Sequence, residues 1–188
     1  MGARHSFRRS GQPLRHRYFL AILPPPAERL RIGAVRDGLG RAGSRVSDER
    51  LHITTYILPD LPFALPHMEE VLAGPMRSVN VAGLQLMFDR VVSSGGHSCL
   101  VSGEGLPALM DLQAELAYAM AAADVPSREG WTFSPHITLL YDPYEPRNEP
   151  ILPISWKAEE LVLVHSLVGL TRHIVLDRWP LIEQPSLF

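Results

Sequence analysis

The sequence predicts a duplicated α+β fold, two pseudo-symmetric α/β lobes within one domain. Three observations carry this. A strand, a helix and a second strand follow one another early in the chain, and the same order returns past its middle. The second strand of each set bears the string His-Ile-Thr, which occurs nowhere else. No low-complexity linker divides the sets, and 188 residues suit one compact domain with a sizeable core.

The elements follow from local pattern. The run 18–23 (Tyr-Phe-Leu-Ala-Ile-Leu) has the length and aromatic content of a buried strand, and three prolines at 24–26 end it. Pro26 suits the first turn of a helix, whose apolar face is predicted at Leu30, Ala34, Val35 and Leu39, before Gly40 and Gly43 stop it. Residues 51–58 are rich in β-branched side chains and closed by Pro59, which predicts a second strand. A short helix is expected within 66–76 and a strand within 79–92, with Gly83 at a bend. Gly95-Gly96 marks a turn, and 98–102 a short strand. Pro107 opens the clearest helix, with Leu109, Leu112, Leu116 and Met120 on one stripe. Residues 131–141 read as a strand, 143–153 as an exposed Pro-rich loop, and 161–168 and 173–176 as two further strands. The expected order is β-α-β-(α)-β followed by β-α-β-β-β.

Composition narrows the class. With 46% hydrophobic and 20% charged residues the chain is an ordinary globular protein, not a collagen, a coiled coil or a disordered tract. A net charge of −2 excludes the basic field needed to grip long nucleic-acid backbones, so any nucleic-acid ligand is recognised locally. Cys99 is the only cysteine, which excludes an intrachain disulfide and a multi-cysteine zinc site and fits a reducing compartment. No apolar run is long enough to span a bilayer, and residues 1–16 are basic and polar without the apolar core of a secretory signal. They read as a disordered leader, with residues 17–188 as the domain, a cytoplasmic location and a monomer expected.

The repeated motif carries the chemistry. On an extended strand alternate side chains share a face, so His52 lies with Thr54 and His136 with Thr138, while Ile53 and Ile137 turn to the core. Each motif presents an imidazole and a hydroxyl about 7 Å apart, from roughly 3.3 Å of rise per residue. Phosphodiester hydrolysis needs one neutral imidazole to take a proton from water and one imidazolium to protonate the leaving alkoxide. Histidine serves both roles near neutral pH. The two hydroxyls can donate to the non-bridging oxygens as charge builds there. The sequence holds no His-x-His, no His-Glu-x-x-His and no carboxylate-rich loop, so neither a metal nor another cofactor is expected.

With these paired motifs the chain resembles the 2H phosphoesterase superfamily, and within it the bacterial RNA 2′,3′-cyclic phosphodiesterases, also called 2′-5′ RNA ligases. The early strand with its prolines, the helix 106–120 and the segment 156–164 share in the resemblance. It implies a bilobal fold with two antiparallel sheets flanking a central cleft. It also implies metal-free opening of a terminal 2′,3′-cyclic phosphate on RNA or a nucleotide, giving a 2′-phosphate, with reversible 2′-5′ joining in vitro. By the same resemblance His52 is the proton donor and His136 the acceptor. The first motif departs in continuing Thr55-Tyr56 where relatives carry a plain apolar residue.

Other residues are weighed against these. His5, His16, His67 and His97 lie in the leader, a polar helix start and a turn. Only His165 and His173 are placed to edge the cleft. Arg172, Arg90, Arg45 and Arg50 are the first cations to inspect near a phosphate, since a charged donor adds to neutral hydroxyls. Among possible base-stacking rings at Tyr18, Phe19, Tyr56 and Tyr141, strict alternation puts Tyr56 on the His52 face and Tyr141 with Ile137 in the core. Cys99 reads as a small core residue. A histidine-triad hydrolase is rejected because neither motif strand has a second histidine. The alternative kept is a non-catalytic module that binds a phosphate or an RNA end in the same cleft.

Overall fold

The computed structural model describes residues 14–40, 43–141 and 146–181. Among them the strands are β1 (Arg15–Ile22), β2 (Ser44–Arg45), β3 (Ile53–Ile57), β4 (Leu84–Ser94), β5 (His97–Val101), β6 (Ile137–Tyr141), β7 (Arg147–Ala158), β8 (Glu160–Val168) and β9 (Arg172–Pro180). The helices are α1 (Pro26–Gly38), α2 (Met68–Ser78) and α3 (Pro107–Ala122). The strands form two antiparallel sheets, one ordered β3-β1-β8-β9 and the other β2-β6-β5-β4-β7. The fold is the predicted α+β architecture.

The duplication is visible in register. β1-α1-β3 and β5-α3-β6 are equivalent strand-helix-strand units, and each motif strand lies beside the first strand of its own unit. The sheets do not divide the chain into consecutive halves, however. β8 and β9, expected to close the second set, instead return to the first sheet, where β8 pairs with β1 and β9 with β8. The first sheet is thus built from both ends of the described chain.

Packing explains the elements. The α3 stripe Leu109, Leu112, Leu116 and Met120 is fully buried, as its spacing requires. Fully burying such side chains contributes roughly 1.5–3 kcal/mol each. Gly95 and Gly96 both have positive φ (61° and 83°), which the two-residue hairpin between β4 and β5 demands. The main core joins both sheets and the helices. A smaller cluster of Phe19, Ala21, Ile57, Val162 and Val164 covers the opposite face of the first sheet, with Trp131 and Leu23 packed against it.

Several expectations are corrected. Arg15 and His16 belong to β1, where His16 also bridges to Leu61, so only residues 1–13 of the expected leader lie outside the described residues. Residues 143–145 of the expected loop lie outside them too, but from Arg147 onward the segment is β7. Pro150 and Pro153 are tolerated there because β7 is an edge strand, paired only with β4. The segment 131–136 is not strand; β6 begins at Ile137.

Helix α1 buries Ile32, Gly33 and Arg36, leaving Leu30 68% exposed and Ala34 exposed. The reason is polar. The Arg36 guanidinium donates to the Val46 carbonyl and to Asp48 Oδ1 at 2.7 Å. Gly33 allows that close approach, since a Cβ there would meet Asp48 Oδ1 at 2.8 Å. α1 therefore docks the segment 46–50 that leads into the first motif.

Candidate active site

That segment ties the two sheets together. Val46 donates its N–H to the Leu139 carbonyl on β6, and a 3-10 turn at Asp48–Arg50 then delivers the chain to His52 and β3. Both motif histidines precede their strands and are tethered alike: Nδ1 of His52 donates to the Arg50 carbonyl, and Nδ1 of His136 to the Ser134 carbonyl, each at 2.7 Å. A neutral ring held this way leaves Nε2 unprotonated and free to act.

Each motif strand also carries a β-bulge at the same place. On β3, Thr54 pairs with Ala21 and Tyr56 with Leu20, so Thr55 is the extra residue; its hydroxyl donates to the Leu20 carbonyl at 3.1 Å. On β6, Thr138 pairs with Cys99 and Leu140 with Ser98, so Leu139 is extra. A bulge inverts the alternation beyond it. Ile57 and Tyr141 consequently join Thr54 and Thr138 in lining one cavity.

This corrects both tyrosine expectations. Tyr141 is 54% exposed and faces the cleft. Tyr56 is 4% exposed and turned away, its hydroxyl donating to the Val125 carbonyl at 2.8 Å, beside Trp131 and Phe133.

The cavity, about 270 Å³, brings together His52, Thr54 and Thr138 with Arg50, Arg17, Phe19, the turn between β8 and β9, and His173. His136 is not among its lining residues, yet stands near enough to His52 for its charge to oppose protonation there. The Cys99 thiol donates to the Thr138 hydroxyl at 3.8 Å, leaving the threonine proton free for a ligand oxygen. Burial raises that thiol to about 11, which makes it a poor nucleophile.

Electrostatics follow from the walls. Burial is the main cause that lowers His52 to about 4, with smaller contributions from the Arg50 and His136 charges. His173 is lowered to about 4 by burial, then by His52 and Arg50. Arg50 Nε is buried without a hydrogen-bond partner. An orphaned buried guanidinium N–H and hydroxyls from two strands make a cavity short of negative charge, which an anion would supply.

Comparisons with known proteins bear on the fold. No profile of a known family matches the sequence, and no curated relative does. Solved structures do match. E. coli LigT, crystallised with 3′-AMP, is 25% identical, with a TM-score of 0.71 over 89% of this chain and 98% of that one. A phosphoesterase is also 25% identical, with a TM-score of 0.73 over 89% of this chain and 99% of the other. The chain has the fold of these 2H phosphoesterases. TT0787 of Thermus thermophilus, 21% identical with a TM-score of 0.66 over 89% of this chain and 99% of that one, shares the fold.

Within this fold the candidate cations sort out. Arg50 reaches the cleft. Arg45 sits 3.6 Å from Asp37, Arg90 donates to Asn148, and Arg172 is exposed and does not line the cavity. Sequence reasoning missed Arg17, which lines the cleft while bound through two nitrogens to Asp60 at 2.6 and 2.7 Å. Its place beside Phe19 on the first strand was the only available signal. Of the two edge histidines, His173 reaches the cleft, whereas His165 stacks on Tyr18 and meets His16 at 2.9 Å on the other face. Among the described residues no group of three or more His, Cys, Asp or Glu is placed to hold a metal ion, and no helix is long and apolar enough to cross a membrane.

Proposed function

We propose that this chain is a metal-independent phosphodiesterase acting on the 2′,3′-cyclic phosphate end of RNA or of a nucleotide, with His52 and His136 as its acid/base pair. The observation that carries this reading is the pairing of two identically tethered His-x-Thr units, each with its bulge, about one small polar cavity. That E. coli LigT has been crystallised with 3′-AMP and with phosphate supports a nucleotide phosphate as ligand.

In the reaction, water adds to phosphorus while one imidazole takes its proton. The P–O3′ bond breaks, the other imidazole protonates the 3′-oxygen, and a 2′-phosphate remains. Thr54 and Thr138 donate to the non-bridging oxygens, and Arg50 offsets the anionic charge. A 5′-hydroxyl in place of water would form a 2′-5′ link by the same steps.

His52 as donor, the role the resemblance implies, must be charged when the bond breaks. Its depressed value leaves it neutral in the empty cleft, so this role requires the anionic phosphate to restore its proton affinity. The deciding experiment is turnover of a 2′,3′-cyclic nucleotide with EDTA present, followed by a substrate with a better leaving group. Rescue of His52→Ala alone supports His52 as the acid, and rescue of His136→Ala alone reverses the roles. Binding without any turnover would make the chain a phosphate-binding module, and turnover that needs a divalent ion would refute metal independence.

A further inference from the structure

Three rings meet on one side of the cleft. Phe19 stacks on His52 with ring centroids 4.9 Å apart and planes 30° apart. His173 meets His52 edge-on at 5.2 Å and 75°, and Phe19 at 5.4 Å and 73°. The triangle is closed by three separate strands: Phe19 is in β1, His52 leads into β3, and His173 lies in β9 opposite Ser166 of β8. With Nδ1 held by the Arg50 carbonyl, the His52 ring is pinned by one hydrogen bond, one face and one edge.

We propose that His173 is a positioning residue for the reaction, whose ring fixes the direction of the His52 imidazole across the cleft and closes the wall that keeps water from it. This deepens the functional reading above and rests on it for the kinetic arm only. Phe19 is locked between β3 and β8 and covers one face of His52. Without His173 the neighbouring edge opens to the cavity, because His173 itself lines that cavity. Two consequences follow. The ring of His52 would swing about its single tether, and its surroundings would become wet, which weakens the main cause of its depressed proton affinity. The charged and titratable groups around His173 are His52, Arg50 and, further along β1, Arg17 with its partner Asp60; His165, on β8, faces away.

The test uses His173→Ala, which removes the ring, and His173→Phe, which keeps a ring of similar shape but no nitrogen. His52 is titrated by ring-resolved NMR without substrate, so that this arm is independent of the activity. Its midpoint is expected well below 6.5 in the unsubstituted protein, to move toward 6.5 in His173→Ala, and to return in His173→Phe. In the kinetic arm His173→Ala should lower kcat about 10- to 100-fold, the cost of a misplaced catalytic group, with KM changed less than about threefold; His173→Phe should restore most of kcat. An unshifted His52 midpoint in His173→Ala would overturn the proposal, as would failure of His173→Phe to restore the midpoint or kcat. If the alanine variant does not fold, His173→Asn takes its place with the same expectations. Absence of turnover in the unsubstituted protein would sink the proposed function and leave the titration to decide the positioning role.

Discussion

The depressed proton affinity of His52 makes folding stability depend on pH in a calculable way. An unfolded chain binds a proton at this ring near 6.5, whereas the folded cleft holds it to about 4. Between those values the unfolded state carries the extra proton, so stability rises with pH there. The contribution is fully present above about 6.5 and is lost as pH falls toward 4. The slope approaches about 1.4 kcal/mol per pH unit, and by pH 5 the loss relative to pH 7.5 is about 2 kcal/mol. Asp60, held low by its hydrogen bonds to Arg17, works in a lower window: its contribution is present above the ordinary carboxylate value and fades below it. The interval from pH 7.5 to 5 therefore isolates the histidines. Urea unfolding at several pH values, for the unsubstituted protein and His52→Gln, measures the difference directly. Any constant cost of losing the bond to the Arg50 carbonyl cancels, because only the change with pH is compared. His52→Gln should lose about 2 kcal/mol less than the unsubstituted protein across that interval. Parallel pH curves for the two proteins would refute the claim that burial keeps this ring neutral.

Replacing His52 or His136 by alanine should each lower kcat about 10²- to 10⁴-fold, measured on a 2′,3′-cyclic nucleotide. The double variant should lose less than the product of the two, since both act in one step. Thr54→Val and Thr138→Val keep the shape but remove a donor, so each should cost roughly 10- to 10³-fold in kcat, toward the lower end because Arg50 also lines the cavity. Tyr141→Ala should raise KM several-fold while Tyr56→Phe leaves it unchanged. The latter should instead cost about 1 kcal/mol in denaturant unfolding, through the lost hydrogen bond to the Val125 carbonyl. Equal effects of the two tyrosine changes on KM would contradict the inverted alternation.

How much was legible beforehand follows from the range of the forces involved. Hydrophobic periodicity acts over a few residues, so the α3 stripe and the buried cores of the motif strands could be read directly. The repeated His-Ile-Thr string singled out the candidate site residues because a doubled imidazole and hydroxyl pattern is rare enough to carry information by itself. Other features depended on partners distant in the chain. Alternation from His52 to Tyr56 fails because Thr55 slips out of register against Leu20, and only the pairing of β3 with β1 decides that. The same slip at Leu139 sends Tyr141 into the cleft.

The amino-acid sequence alone determined the fold class, the two catalytic candidates and their threonines, because these rest on local pattern and on residue chemistry. The tertiary structure decided what surrounds them. α1 turns Arg36 inward because Asp48 and the Val46 carbonyl wait there, a buried polar attraction that outweighs the apolar face at Leu30 and Ala34. Prolines that locally read as a loop lie in β7, since an edge strand leaves their missing donors unneeded. β9 crosses back to the first sheet and sets His173 against His52, residues far apart in the chain. No local propensity encodes that contact. It arises only when β3, β1, β8 and β9 assemble into one sheet, and the proton affinity of the ring then follows from whatever excludes water from it.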